Sequence, residues 1–173
     1  MAIEQDTVND NYYFEIEGNM FKKTVLTLAM LGTLASASVQ AAQGAQCVKT
    51  SQKEIASLFD RWNASLKTGD AKQVAKNYAS DAVLLPTLSD QPRTTDAERI
   101  DYFEHFLAKK PVGKIDTSTI RIGCNKAVDT GTYTFTFGDG SVAKARYTYT
   151  YAWDAKQKQW LITSHHSSAN PSS

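Results

Sequence analysis

The residues best equipped for proton transfer or ligand binding are two adjacent histidines, His165 and His166, in the closing run Trp160-Leu-Ile-Thr-Ser-His-His-Ser-Ser-Ala-Asn-Pro171. Imidazole titrates near neutrality and apolar walls tune it, so a single cavity histidine suits general-base work. Neighbours on a strand point to opposite faces, so the pair cannot approach one metal or one substrate unless a bulge intervenes. At most one of them lines a cavity; the alternative role, a histidine hydrogen-bonded within the sheet, stays open. His105 adds no recognisable ligand spacing, so neither a metal site nor a cofactor is expected. Tyrosines are the natural partners: Tyr133, Tyr149 and Tyr151 can donate to a developing oxyanion.

A buried acid is the missing part. Asp129 shares parity with Tyr133 but sits near the start of its strand, where a solvated carboxylate is expected, and Asp116 and Glu104 read as surface charges. Arg93, in Pro92-Arg-Thr-Thr95, either rims a cavity mouth or is solvated. The chain has no Ser-His-Asp spacing, no nucleotide loop and no dinucleotide fingerprint, so an oxidoreductase has no cofactor signature behind it.

The elements that must position these groups follow from pattern. Ser51-Gln-Lys-Glu54 is a capping box, and Ile55, Leu58, Phe59, Trp62 and Leu66 recur at helical spacing until Gly69 ends the run. Asp70 to Tyr78 reads as a short second helix and Ala82 to Pro86 as a strand. A second capping box, Thr95 to Glu98, opens a helix with Ile100, Phe103, Phe106 and Leu107 on its apolar side, ended by Pro111 and Gly113. From Ile115 the period becomes two, and residues 118–124, 126–137, 141–153 and 159–167 form four strands of an antiparallel meander. Helices first and strands together afterwards predict an α+β domain with the sheet packed on the helices. Tyr133, Phe135 and Phe137 then share one face with Tyr147, Tyr149, Tyr151 and Trp153, and the threonines between them take the other. The aromatic face must meet the helices, since burying one such ring contributes on the order of 2 kcal/mol or more.

Length and composition bound the rest. The chain has 173 residues, 42% hydrophobic and 21% charged, which suits one globular domain. Residues 20–41 have the layout of a secretory signal peptide: Lys22 and Lys23, an apolar run from Thr24 to Ala35, then small residues. The run is too short for a membrane-spanning helix, which needs roughly 20 residues. Cleavage is expected after Ala41, with Ala37 also allowed. Residues 1–19 carry five acids and no base, which is wrong for an export leader, so Met20 is the expected start and residues 1–19 a non-native or mis-assigned extension; a real tail is the alternative. Removing Lys22, Lys23 and those five acids raises the formal charge from +1 to +4. No basic cluster longer than a pair remains, so nucleic-acid binding is not expected, nor a membrane role after cleavage. In an exported protein, Cys47 and Cys124 point to a disulfide rather than a metal or redox site, with lipid attachment at Cys47 as the competing reading.

The element order, the segment from Glu54 to Pro86, the Pro92-to-Leu107 stretch, Ile120-Arg-Ile-Gly-Cys124 and the terminal Trp160-Leu-Ile-Thr-Ser-His-His-Ser-Ser168 together resemble the nuclear transport factor 2-like (SnoaL-like) fold. Within it the sequence is similar to the calcium/calmodulin-dependent protein kinase II association domain and its exported bacterial relatives, filed under the SgcJ/EcaC family label. The resemblance covers about residues 48–171. It implies a curved sheet and a long helix enclosing a cone-shaped cavity, with the outer sheet face used for a homodimer or higher homo-oligomer. In the kinase the domain is an oligomerisation hub whose cavity arginines can hold a carboxylate; those positions fall here on Tyr133, Tyr151 and Ser167, leaving Arg146 and Arg121 as substitutes. Two functions follow as expectations. One is a periplasmic or secreted assembly module binding a small, unidentified ligand among Trp62, Tyr133, Tyr149, Tyr151, Arg93, Arg121 and Arg146. The other is a small isomerase or cyclase with His165 or His166 as base.

Overall fold

The structure, a computed structural model, describes residues 46–87 and 89–171. The expected extension and signal peptide lie outside the described residues. The elements are α1 (Gln52–Leu66), α2 (Ala71–Ala75), β1 (Tyr78–Leu85), α3 (Asp96–Leu107), β2 (Val112–Gly123), β3 (Lys126–Thr136), β4 (Val142–Asp154) and β5 (Gln159–Ala169).

In α1 the five expected apolar residues are the buried stripe. Its capping box is half made: Ser51 Oγ accepts from Glu54 N at 3.2 Å, while the Glu54 carboxylate accepts from Thr50 Oγ1 at 2.8 Å instead of turning back to Ser51. The chain leaves the helix through Gly69, whose φ of 69° is a left-handed conformation that glycine takes without penalty. The second helix is shorter than its pattern suggests. Asn77 Nδ2 donates to the carbonyls of Gln73 at 3.3 Å and Val74 at 3.0 Å, satisfying helix-end acceptors, and Asn77 O accepts from Ile162 N at 2.9 Å. Tyr78 therefore begins β1 rather than ending α2.

The capping box of α3 is complete, and the Glu98 carboxylate, accepting from Thr94 N at 2.7 Å and Thr95 N at 2.9 Å, is drawn down to about 2 by those backbone donors. Phe103 and Leu107 are buried as expected, but the fully buried residue beside them is Arg99. Its guanidinium donates to the carbonyls of Ala79 at 3.2 Å, Ser80 at 3.0 Å and Ala82, and to the Asp96 carboxylate at 2.6 Å, which fastens α3 to β1.

The strands form one five-stranded sheet in the order β1-β5-β4-β3-β2. Strands β2 to β5 are the expected antiparallel meander, and β1 joins parallel to β5. Tyr133, Tyr147, Tyr149 and Tyr151 are buried at 0–2% exposure, and the threonine face carries Thr130 and Thr136 in the open. Besides the register shift between Tyr78 and Val83 where β1 joins β5, two bulges shape the sheet among the described residues. One lies between Ile115 and Thr117 on β2, opposite Tyr133 and Thr132 and one pair from Gly131. A Cβ on Gly131 would stand 1.9 Å from Thr117 O, so only glycine admits that approach. The other is at Thr163, an extra residue on β5 where the pairing steps from Tyr151↔Ile162 to Thr150↔Ser164. On the helix side, Asn63 pairs with Gly113 as a strand would, donating to its carbonyl and accepting from its N–H, both at 2.8 Å. Cys47 and Cys124 are joined as a disulfide, and beside it Asn125 accepts from Val48 N at 2.7 Å and donates to Gln46 O at 3.0 Å. The segment before α1 is thus held to the β2–β3 turn.

Candidate functional site

A cavity of about 490 Å³ opens between the inner face of the sheet and helices α1 and α3. Its walls are mostly aromatic, with Trp62, Phe103, Phe106, Tyr133 and Phe135 among the lining residues. One polar seam crosses it, built from β1, β5 and β3 together.

The seam starts at Trp62, whose Nε1–H donates to the Tyr78 hydroxyl at 3.1 Å. Tyr78 is 2.9 Å from His165 Nδ1. Indole is only a donor, so the Tyr78 oxygen accepts there, and its own hydrogen finds an acceptor only at His165 Nδ1. That fixes the imidazole as the Nε2–H tautomer. On the other side His165 Nε2 lies 3.5 Å from the Tyr133 hydroxyl, a long contact, and Tyr133 donates to Ser167 Oγ at 2.6 Å. Ser167 and Thr87 share a further, short hydrogen bond. Whichever of those two hydroxyls donates, one hydrogen of the pair has no acceptor among the described residues. The seam therefore runs in one sense, Trp62 to Tyr78 to His165 to Tyr133 to Ser167 and Thr87, and ends at the cavity wall in a spare donor.

Every member is held neutral. His165 is 4% exposed, stacked on Tyr149 with ring centroids 4.1 Å apart and met edge-on by Trp62 at 5.6 Å. Burial pushes its imidazole down to about 3, with the neighbouring His166 adding to the effect. Burial likewise raises the phenols of Tyr78 and Tyr133 above their ordinary value. At the mouth the charge is cationic: Lys109, Lys144 and Arg93 line it with one acid, Asp101, which pairs with Arg93 at 3.0 Å. His105 also lies at the mouth, its Nδ1 2.8 Å from Asp101 O.

Of the residues singled out from sequence, Trp62, Arg93, Tyr133 and His165 meet around this cavity. Tyr149 and Tyr151 lie behind it in the core, their hydroxyls buried without a hydrogen-bond partner. Arg121 and Arg146 do not line it; both are exposed, because their register places them on the threonine face, with Arg146 opposite Thr132 and Ser168. His166 is exposed opposite Thr148 on that same face. The Asp129 expectation needs correction: the residue is 2% exposed, not solvated, because β3 is covered on both sides at that level by Ile120 and Tyr149. Its carboxylate accepts from Ser118 Oγ at 2.5 Å and Tyr147 OH at 3.1 Å, and burial raises its proton affinity. It does not line the cavity. Among the described residues no three His, Cys, Asp or Glu side chains are grouped to hold a metal ion.

Three members of the seam were not expected as site residues. Ser167 shares the parity of His165 two residues on, a signal the sequence did contain. Tyr78 and Thr87 come from β1 and the turn after it, and only the parallel pairing of β1 with β5 brings them there.

Residues 51–171 match the family model of the calcium/calmodulin-dependent protein kinase II association domain. No curated protein matches the chain. Among solved structures, a Xanthomonas campestris protein described by that same family name is 43% identical, covering 74% of this chain and 96% of its own, with a TM-score of 0.68. A nuclear transport factor 2-like protein of unknown function from Pseudomonas putida is 19% identical over 69% of this chain and 87% of its own, with a TM-score of 0.60. An iota-carbonic anhydrase from a cyanobacterium, complexed with bicarbonate, is 18% identical over 72% and 94%, with a TM-score of 0.64. These last two share the fold.

Proposed function

This chain belongs to the calcium/calmodulin-dependent protein kinase II association-domain family, with a nuclear transport factor 2-like fold, and on that premise we propose that it is an exported, self-associating protein whose cavity binds a small carboxylate-type oxyanion. The observation that carries the ligand class is the spare hydroxyl hydrogen at Thr87 and Ser167, backed by Tyr133, at the end of a seam of donors. A donor with no protein acceptor selects a ligand that offers an acceptor oxygen. The cationic mouth draws an anion toward it, and the aromatic walls leave room for a small apolar remainder. Export rests on residues 20–41 and agrees with the disulfide. Self-association rests on the threonine face, where Val112 and Val142 are 47% and 57% exposed on either side of Thr136.

The test is titration of the purified protein with bicarbonate and with acetate, followed by tryptophan fluorescence and calorimetry. Thr87→Val/Ser167→Ala removes the pair that holds the spare hydrogen, and loss of a hydrogen bond to a charged ligand weakens binding by about tenfold or more; Tyr133→Phe removes the donor that orients Ser167 and weakens binding less. Equal affinity in wild type and both variants would remove this reading. A protein that sediments as a strict monomer at micromolar concentration would remove self-association.

A second reading is favoured by the donor end of the seam and by the likeness to a carbonic anhydrase holding bicarbonate. Hydration of carbon dioxide needs a water oxygen to attack carbon while a proton leaves it. With His165 already carrying hydrogen on Nε2, the seam donates outward: its Thr87–Ser167 end gives a hydrogen bond to the oxygen that gains negative charge as bicarbonate forms, and the proton lost by the water leaves through the cavity mouth to solvent. A histidine held at about 3, with hydrogen already on Nε2, is a poor base, which argues against the isomerase or cyclase alternative, whose base must abstract a proton from carbon. A stopped-flow hydration assay decides: turnover lost in Thr87→Val/Ser167→Ala supports it, and none in wild type leaves binding alone.

A further inference from the structure

A second cleft, of about 760 Å³, lies on the far side of α1 from the cavity's donors, between α1, α2 and the β4–β5 turn. Its lining includes three cations, Arg61, Lys72 and Lys76, and one acid, Asp96, which is already bonded to Arg99 at 2.6 Å. None of the three cations has a carboxylate within 4.0 Å among the described residues. Arg61 is the telling one. It is half-buried, and its guanidinium bonds only neutral groups, donating through Nε to Asn77 Oδ1 at 3.0 Å and through Nη2 to Trp160 O at 2.6 Å. Those two bonds fix the planar group in place and leave its charge uncompensated. A half-buried charge without a counter-charge is costly, and burial lowers the proton affinity of this guanidinium accordingly. Lys72 on α2 and Lys76 at its C-cap stand one turn apart and add like charge beside it.

We propose that this cleft is a second ligand site, taking a phosphate monoester. A monocarboxylate leaves most of three positive charges unmatched, whereas the dianion of a phosphate monoester comes close to neutralising them, and a fixed guanidinium edge suits phosphate oxygens. Gln73, Gln157 and Gln159 line the rest of the cleft and supply amides for a hydroxylated remainder. The cleft shares Tyr78 with the inner end of the seam but none of the residues that offer donors to the oxyanion cavity, Ser167, Thr87 and Tyr133.

The experiment measures the melting temperature of the full, disulfide-bonded protein at pH 7.5 against inorganic phosphate, glycerol phosphate, acetate and sodium chloride at matched ionic strength. A ligand that binds only the folded state raises the melting temperature in a saturable way. Inorganic phosphate and glycerol phosphate are expected to do so, glycerol phosphate at lower concentration, with chloride giving no saturable rise. Lys72→Ser/Lys76→Ser replaces two exposed side chains, so its melting temperature without probe stays at the wild-type value while its half-saturating phosphate concentration rises about tenfold or more. Ser167→Ala keeps the wild-type phosphate response, which separates this site from the cavity. The same rise with every salt, a full response in the double lysine variant, or loss of the response in Ser167→Ala would each overturn the proposal. So would inorganic phosphate acting at lower concentration than glycerol phosphate, since the cleft would then hold a free ion and not an ester.

Discussion

Replacing His165 by asparagine isolates the cost of protonating the imidazole. Asparagine keeps an acceptor near the position of Nδ1 for Tyr78 but does not titrate. In the wild-type fold, burial holds His165 at about 3, whereas the unfolded chain presents an ordinary histidine near 6.5. The folded state thus binds fewer protons than the unfolded one between those values. The stability this group lends is complete above pH 6.5 and drains away as the pH falls toward 3. Integrated from pH 7.5 to 4.5, one such proton amounts to on the order of 3 kcal/mol. Asp129 acts in the opposite sense, since burial raises it, and the stability Glu98 lends is lost only as the pH falls below its unfolded value, but both are common to the two proteins and cancel in the difference. The assay is urea denaturation followed by circular dichroism at pH 7.5, 6.5, 5.5 and 4.5 for wild type and His165→Asn. The stability of wild type relative to the variant should fall by on the order of 3 kcal/mol across that range. A constant difference would show that His165 charges freely in the fold, and the dry, neutral seam would be refuted.

Three further outcomes are expected. The Cys47–Cys124 bridge spans 77 residues, so a Cys47→Ser/Cys124→Ser variant should lose about 2–4 kcal/mol, read as a lower urea midpoint matched by wild type under reductant; equal midpoints would show that Asn125 alone secures the segment. Asp129→Asn should gain melting temperature over wild type more at pH 8 than at pH 4, because a raised carboxyl costs stability only once the pH passes through its folded value; the reverse trend contradicts its burial. Gly131→Ala puts a methyl against Thr117 O and should cost about 1–3 kcal/mol or more in denaturant unfolding, and a neutral effect would mean the β2 bulge relaxes freely.

The fold was legible because its signals are redundant. The α1 stripe, the α3 capping box and the aromatic alternation of β3 and β4 each state a period and a buried side, and all three agree. The site was legible only in part, for a local reason. Trp160 and Ile162 face inward at even positions, and uninterrupted alternation would carry His166 inward with them. The extra residue at Thr163 shifts the parity, so His165 and Ser167 face the cavity instead. A bulge of one residue leaves no mark in composition, and sequence alone could not choose between the histidines. Tyr78 reads as helix because Val74, Ala75 and Tyr78 keep helical spacing; it is the side chain of Asn77 that stops the helix before it. Arg99 sits on a helix face that pattern reading reserves for apolar residues, since the carbonyls it satisfies belong to β1, far along the chain. Asp129 misled for a related reason: its cover comes from neighbouring strands.

The most direct measurement is of the proton on His165 itself. Nitrogen-15 spectra of the histidine side chains, recorded from pH 8 to pH 4.5 with and without bicarbonate, report which ring nitrogen carries hydrogen. The account predicts one buried imidazole that stays neutral with hydrogen on Nε2 throughout, and whose Nε2 signal moves when bicarbonate reaches the Thr87–Ser167 end of the seam. An imidazolium forming near pH 6.5, or hydrogen on Nδ1, would contradict it.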